Sequence, residues 1–216
     1  SKLPEVRTLI FDGKGREAQN MMEKYFKTPR NGMPYQTIGS LKLDFQNQEN
    51  FHDYYRDLDL KRAVSTVSYK VGDVTFTREV FVSFTDNVII VHLTADKPSK
   101  LSFVAHYTSP LNVQIRKEGK KLVLTGKGQD HEGVKGVIRM ETQTEVKTEG
   151  GKLIVSNNQI EVKNATSAIL YISVATNFVN YHDVSANESK RVSKYLNAAM
   201  KVPYATALHN HTGYYQ

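Results

Sequence analysis

The spacing of apolar residues divides the chain into a short helical start, a long β region and a helical end. Near the start, Val6 and Ile10 lie at helical spacing, and a second apolar stripe begins at Ala18 and Met21. The pattern predicts two short helices within residues 3–27. The residues expected to end this helical region are Pro29, Gly32 and Pro34.

Strand-like alternation follows from residue 35 to residue 177. Leu41, Leu43 and Phe45 alternate with polar residues, and Gly72-Asp73 is a two-residue hairpin signal. Turn signals recur about every 8–15 residues, which is typical of a β-sandwich or barrel and not of alternating strands and helices. The predicted strands cover residues 38–45, 62–71, 74–84, 88–94, 101–107, 134–145, 152–155, 159–163 and 167–177.

The pattern becomes helical again near the end of the chain. Ser185 or Asn187 could cap a helix, and Glu188 lies three residues after Ser185, as a capping box requires. Pro203 stands at the first position of a second predicted helix. The apolar positions of this tail have no evident partner in the sequence, so the tail is expected to be a linker toward another domain. The predicted organisation is a sandwich over residues 1–183 and a helical linker over 184–216.

Composition and charge narrow the classes of function. Apolar residues make up 39% and charged residues 24%, which is globular composition. The absence of cysteine excludes disulfides and cysteine-based zinc sites. Lys and Arg number 29 against 22 for Asp and Glu, but they are scattered, as at Lys117, Lys120 and Lys127. This distribution predicts an ordinary solvated surface without nucleic-acid binding. No apolar stretch approaches the roughly 20 residues of a membrane span, so none is expected.

A pair of carboxylates is the first candidate for chemistry. If residues 54–60 are extended, Asp57 and Asp59 project from one face, and a glycosidase needs two carboxyl groups flanking a bond. The ordinary alternative is that Leu58 and Leu60 point inward while both carboxylates face water or nearby arginines. Base rates for exposed charges favour this alternative.

Metal and cofactor signals are weak. Asp130-His131-Glu132 offers oxygen and imidazole ligands, but its flanking glycines are more typical of a surface turn. The sequence has no His-Glu-x-x-His spacing, phosphate loop, dinucleotide fingerprint or Gly-x-Ser-x-Gly elbow. We therefore predict neither a cofactor nor a metal site.

Aromatic residues could form a platform for sugar stacking, since an apolar ring with a polar tip suits carbohydrate. The alternative is that the same rings serve core and interdomain packing. The candidates are Tyr25, Phe26, Tyr35, Phe51, Tyr54 and Tyr55.

Three segments stand out by their order and spacing: YQTIG at residues 35–39, YRDLDL at residues 55–60 and TREVFVS at residues 77–83. In this order they resemble the N-terminal domain of glycoside hydrolase family 95, the α-L-fucosidase family. YRDLDL and TREVFVS are the most specific matches, and YQTIG resembles the family's YQ-x-x-G motif. His211 with the closing YYQ resembles the helix that leads to the family's barrel. The resemblance covers nearly all 216 residues.

This resemblance implies an architecture and a function. The family arranges an antiparallel β super-sandwich, a helical linker, an (α/α)₆ barrel and a C-terminal β domain, and its barrel carries an inverting mechanism. The chain would be the N-terminal domain, truncated at its start, and inactive alone. Its partners would be its own barrel and fucosylated carbohydrate. Related α-galactosidases share the pattern, and a free-standing carbohydrate-binding sandwich is the other alternative.

The resemblance also suggests residues and a compartment. No catalytic residue carries over, because the family's catalytic groups lie in the barrel. Tyr35, Gln36, Asp57 and Arg78 are candidates for contacts to the substrate cleft or to another domain, against the alternative of local hydrogen bonding. The resemblance implies a periplasmic or extracellular protein of a bacterium.

Overall fold

The computed structural model of the chain describes residues 1–26 and 35–216, which form two compact units. The first unit comprises Ser1–Tyr35 and Asp130–Lys135. It contains α1 (Leu3–Phe11) and α2 (Gly15–Tyr25), which pack against each other, so the two predicted helices are confirmed. Pro29, Gly32 and Pro34 lie outside the described residues.

The second unit comprises Gln36–Gln129 and Gly136–Gln216 and is an antiparallel sandwich of two sheets. The small sheet has the strand order β1-β6-β11-β10, and the large sheet has the order β2-β3-β4-β5-β12-β9-β8-β7. The mainly β fold class is thereby confirmed. The strands are β1 (Ser40–Asp44), β2 (Phe51–Asp59), β3 (Val64–Val71), β4 (Val74–Ser83), β5 (Val88–Ala95), β6 (Leu101–Thr108), β7 (Val113–Glu118), β8 (Lys121–Lys127), β9 (Arg139–Glu149), β10 (Lys152–Val155), β11 (Gln159–Ala165) and β12 (Ser167–Thr176).

The main core lies between the two sheets. Because successive side chains of a strand point to opposite faces, every second residue of β6 enters this core. Leu101, Phe103 and Ala105 are almost completely buried there and meet Leu93 and Leu170 of the large sheet. Leu41, Leu43 and Phe45, whose alternation was read from the sequence, pack against the same core.

A second core covers the outer face of the large sheet. Phe81, Ile90 and Tyr171 are buried under α3 (Glu188–Ala199) and α4 (Tyr204–Tyr215), which contribute Leu196 and Ala207. The expectation that the apolar positions of the tail have no partner is therefore wrong. They pack on the chain's own sheet, because that sheet is apolar on both faces.

One of the two caps offered by the sequence is confirmed, and two element boundaries differ from the prediction. Asn187 caps α3, since its side chain accepts a hydrogen bond from the Lys190 amide at 2.8 Å, and Ser185 does not. Glu188 instead pairs with Arg139 at 2.8 Å. β9 begins at Arg139 and not at residue 134, and Pro203 is the N-cap of α4. Among the described helices, none combines the length and the apolar character needed to cross a membrane.

Candidate functional site

One open cavity lies at the mouth of the sandwich, beside β1 and the first strands of the large sheet. Its volume is about 470 Å³, and its lining is mainly apolar with a few polar groups. We call it the aromatic cavity, because rings from several strands line it. Its ring and polar lining includes Phe45, Gln48, Phe51, Tyr54, Tyr69 and Arg78.

Arg78 is the central charged group of the aromatic cavity. Its guanidinium carbon lies 3.9 Å from the ring centroid of Phe45 and 4.9 Å from that of Tyr69, as in cation–π contacts. One terminal nitrogen donates to the Tyr69 hydroxyl, which in turn donates to Gln48 Oε1 at 2.5 Å. The guanidinium is therefore packed against two rings, and its buried Nε–H has no partner among the described residues.

The electrostatic environment keeps Tyr69 protonated. Burial raises the pKa of the Tyr69 hydroxyl, and the neighbouring Arg78 opposes that shift. The hydroxyl is thus a neutral donor at physiological pH. Its proton goes to Gln48, and its oxygen accepts from Arg78.

A β-bulge in β2 brings two rings to the aromatic cavity. The pairing register between β2 and β3 shifts between His52 and Tyr55, and Asp53 lies there with φ at 52°. Strict alternation would put Phe51 and Tyr54 on opposite faces of the strand, but the extra residue places both in the lining. Their ring centroids are 5.8 Å apart. Nothing in the sequence marks this bulge, since a non-glycine residue occupies the left-handed conformation.

A second cavity of about 550 Å³ adjoins the first, and Gln48 lines both. We call it the amide cavity, because its polar lining is rich in carboxamides. Its polar residues are Gln46, Asn47, Gln48, Lys100, Ser102, Lys163 and Asn164. We call the pair of cavities that share Gln48 the sandwich-mouth groove, with the aromatic cavity as its apolar half and the amide cavity, whose lining has more polar groups, as its polar half.

The structure does not bring the four candidate residues together. Arg78 lines the aromatic cavity. Asp57 pairs with Thr66, which pairs with Glu79, so Asp57 projects from the opposite, outer face of the sheet. Gln36 accepts a hydrogen bond from the Gln129 amide at 3.0 Å and so holds a loop.

Tyr35, the remaining candidate, has a fully exposed side chain in the first unit. Whether any of the four contacts substrate or another domain stays a prediction.

The carboxylate pair Asp57 and Asp59 does share one face, because both lie on the extended β2 two residues apart. Leu58 projects from the opposite, core-facing side of the sheet, because it pairs with Ser65, which pairs with Val80 at the main core. Both leucines are nevertheless exposed, Leu58 by 59% and Leu60 by 71%. Asp59 Oδ1 accepts from the amides of Lys61 and Arg62 at 2.9 and 3.1 Å and thereby closes a turn.

A polar cluster that sequence reasoning missed lies on the outer face beneath α4. The Tyr204 hydroxyl donates to Glu79 Oε2 at 2.9 Å, and His92 Nδ1 lies 3.7 Å from the same oxygen. Burial lowers the pKa of His92, and Glu79 partly offsets that effect. Burial, reinforced by Glu79, raises the pKa of Tyr204 far above its usual range. These three groups fix the tail to the sheet.

The Asp130-His131-Glu132 segment lies at a turn. His131 and Val134 exchange backbone hydrogen bonds at 2.9 and 2.8 Å, as expected for the surface-turn interpretation. Within residues 1–26 and 35–216, no group of three or more His, Asp or Glu side chains is arranged to hold a metal ion.

Comparison with known proteins identifies relatives of this fold. Residues 1–181 match the family described as glycosyl hydrolase family 65, N-terminal domain. Alpha-L-fucosidase 2 of Arabidopsis thaliana is 29% identical over 243 aligned residues, which cover 99% of this chain and 28% of that protein. An Aspergillus niger protein provisionally designated alpha-fucosidase A is 30% identical over 94 residues, covering 44% of this chain and 11% of its own length.

A solved structure has the same fold. It comes from the human microbiome and is provisionally designated a kojibiose phosphorylase. It superposes on 87% of this chain and 30% of its own length, with a TM-score of 0.55 and 9% sequence identity. This similarity concerns the fold alone. The chain spans less than a third of each of these relatives.

Proposed function

The chain belongs to the N-terminal domain family of glycosyl hydrolase family 65, and from that premise we propose that it is the non-catalytic N-terminal domain of an α-L-fucosidase of the family 95 type. The observation that carries this proposal is the alignment to alpha-L-fucosidase 2, which extends over 99% of the chain. The second fucosidase relative adds support over a shorter segment.

The proposal of the family 95 type is supported by sequence motifs as well as by overall sequence identity. The segments YRDLDL and TREVFVS fall on β2 and β4, two strands of the large sheet that both pair with β3. Their residues divide between the two faces, with Arg78 directed to the sandwich mouth and Asp57 and Glu79 to the outer face. Residues on a rigid sheet can hold contacts to a neighbouring domain in fixed positions.

The catalytic groups in this proposal belong to an (α/α)₆ barrel in the same polypeptide, with the sandwich as its partner. The substrate is a fucosylated glycan, and the reaction proceeds with inversion. A bacterial periplasmic or extracellular location is part of the same proposal, and cell fractionation with an antibody against this domain tests it.

Activity is tested on the polypeptide that carries this domain. It is assayed on an aryl α-L-fucoside, an aryl α-D-galactoside, and kojibiose with inorganic phosphate. Release of the aryl group from the fucoside alone supports the proposal. Galactoside cleavage would identify an α-galactosidase, and phosphate-dependent loss of kojibiose would identify a phosphorylase.

Two further measurements test the stereochemistry of the reaction and the non-catalytic role of this domain. Proton NMR of the first fucose released should show the β anomer if the reaction inverts configuration. The isolated 216-residue chain should leave all three substrates intact. Turnover by the isolated chain would contradict the non-catalytic assignment.

A further inference from the structure

We propose that the sandwich-mouth groove is a carbohydrate-binding site for a neutral oligosaccharide. The site consists of the aromatic cavity and the adjoining amide cavity. It goes beyond the proposed function, since it requires neither hydrolysis nor another domain. Each cavity falls within the range of roughly 300–1,000 Å³ that is usual for small-molecule sites.

The apolar half supplies surfaces for sugar rings. Phe51 and Tyr54 line the cavity and are each 53% exposed, so part of each ring is accessible to a ligand. An aromatic ring offers an apolar face against which the C–H groups of a sugar can pack. The bulge at Asp53 is what groups these two rings, and bulges commonly re-aim side chains beside functional sites.

The polar half supplies hydrogen bonds suited to hydroxyl groups. Carboxamides both donate and accept, as a sugar hydroxyl does. Gln48 belongs to both cavities, so a saccharide chain could cross from one half to the other past that residue. In the apolar half, the buried Nε of Arg78 is a donor without a partner among the described residues.

The lining of the two cavities has no strong net charge that would favour an anionic ligand. The charged residues of the two cavities are three cations and two anions, so the groove is nearly balanced. Two of them are already paired, since Lys163 Nζ lies 2.9 Å from Glu161 and Asp44 lies 3.2 Å from His106. A uronic or sialic acid would therefore gain little attraction over a neutral sugar. The five charged residues are Asp44, Glu49, Arg78, Lys100 and Lys163.

An NMR titration of the ¹⁵N-labelled 216-residue chain tests the site with three trisaccharides. Two are neutral, 2′-fucosyllactose and cellotriose, and one is anionic, 3′-sialyllactose. We expect at least one neutral probe to shift the side-chain amide resonances of Gln48 and Asn47, with affinity no weaker than that of the anionic probe. Binding of neither neutral probe, or tighter binding of the anionic one, would overturn the proposal.

Adjacent tyrosines provide a matched pair of variants. Tyr54 lines the aromatic cavity, whereas Tyr55 on the same strand does not, and both are exposed. Tyr54→Ala should weaken binding about tenfold, the equivalent of losing one aromatic contact. Tyr55→Ala should leave binding unchanged. Equal effects of the two substitutions would contradict the site.

Thermal melts establish that each variant is folded. If Tyr54→Ala lowers the melting temperature, Tyr54→Leu keeps apolar bulk without a ring face and should still lose affinity. Because only binding is measured, failure here leaves the hydrolase proposal standing, and failure of the fucoside assay leaves this site standing.

Discussion

The Tyr204 hydroxyl donates a hydrogen bond to Glu79 at 2.9 Å across 125 residues of sequence. This contact joins the start of α4 to the middle of β4. It is part of the cluster with His92, whose ring centroid lies 4.2 Å from that of Tyr204. The tail is therefore fixed to the sheet by a polar contact as well as by the outer core.

Removing that hydroxyl should destabilise the fold. Tyr204→Phe leaves a half-buried carboxylate without its donor, so we expect the free energy of unfolding to fall by about 2 kcal/mol. Urea denaturation measures it. Tyr195→Phe is the matched control, since Tyr195 packs against the same outer core and its hydroxyl has no partner among the described residues. An equal loss in both variants would show that the Glu79 contact contributes nothing.

Stability should depend on the protonation of His92. Burial lowers its pKa in the folded state below the usual 6.5, so folding favours the neutral ring. This stabilising contribution is complete above about pH 6.5 and is lost as the pH falls through the lowered folded pKa. We expect the free energy of unfolding to decrease in that window, before most carboxylates titrate.

His92→Gln should flatten this pH dependence. The charged neighbour Glu79 and the ring of Tyr204 remain in place, so the change isolates the imidazole. His209→Gln, at an exposed position of α4, is the control and should retain the wild-type slope. Urea titrations between about pH 7.5 and about pH 5 make the comparison. An unchanged slope in His92→Gln would contradict the prediction.

Asn177 should be among the most sensitive polar residues. Its side chain is completely buried, accepts from the Arg139 amide at 2.8 Å, and donates to the carbonyls of Val137 and Val184 at 3.1 and 2.8 Å. Asn177→Ala leaves the Arg139 amide and the two carbonyls without a hydrogen-bond partner. We therefore expect a loss of about 3 kcal/mol in the free energy of unfolding. Asn157→Ala, in an exposed turn, should change it by less than about 0.5 kcal/mol. Comparable losses would refute this role.

Two adjacent glycines allow the stability effect of the left-handed backbone conformation to be measured apart from that of steric overlap. Gly150 and Gly151 both have φ at 69°, but a Cβ on Gly151 would lie 2.3 Å from the Lys163 carbonyl oxygen, and one on Gly150 meets nothing within 4 Å. Gly150→Ala should cost about 1 kcal/mol from the left-handed conformation alone. Gly151→Ala should cost a further ~1–3 kcal/mol from overpacking. Equal melting temperatures of the two variants would show that the overlap with the Lys163 carbonyl does not lower the stability.

Much of the sandwich could be predicted from local signals. The Gly72-Asp73 hairpin, the long strands and the inward face of β6 follow from turn chemistry and alternation. The partner of the tail's apolar positions was mispredicted, although a signal existed, and the role of the tail as a linker stays a prediction. β5 reads VIIVHLTA, a nearly continuous apolar run, and such a run indicates burial on both faces. An apolar outer face requires a cover, and the tail stripes provide it.

The candidate site could be predicted only in part. Arg78 was singled out and lies in the aromatic cavity, and Phe51 and Tyr54 were among the suspected stacking residues. Phe51 and Tyr54 reach the same cavity only because of the bulge at Asp53, and no glycine or proline at that position signals the bulge in the sequence. The opposite orientation of Asp57 depends on the same register shift. A one-residue shift of this kind is set by long-range pairing and not by the local sequence.

The bulge at Asp53 also bears on self-assembly. β2 is one of the two terminal strands of the large sheet, and a flat terminal strand with the exposed side chains of Phe51, Tyr54 and Leu58 would be a template for fibril growth. A left-handed residue with an exposed carboxylate interrupts the hydrogen-bonding ladder after its first two pairs. The kink thus makes it harder for a strand of a second molecule to extend the sheet. It thereby limits the aggregation that these solvent-exposed aromatic rings would otherwise promote.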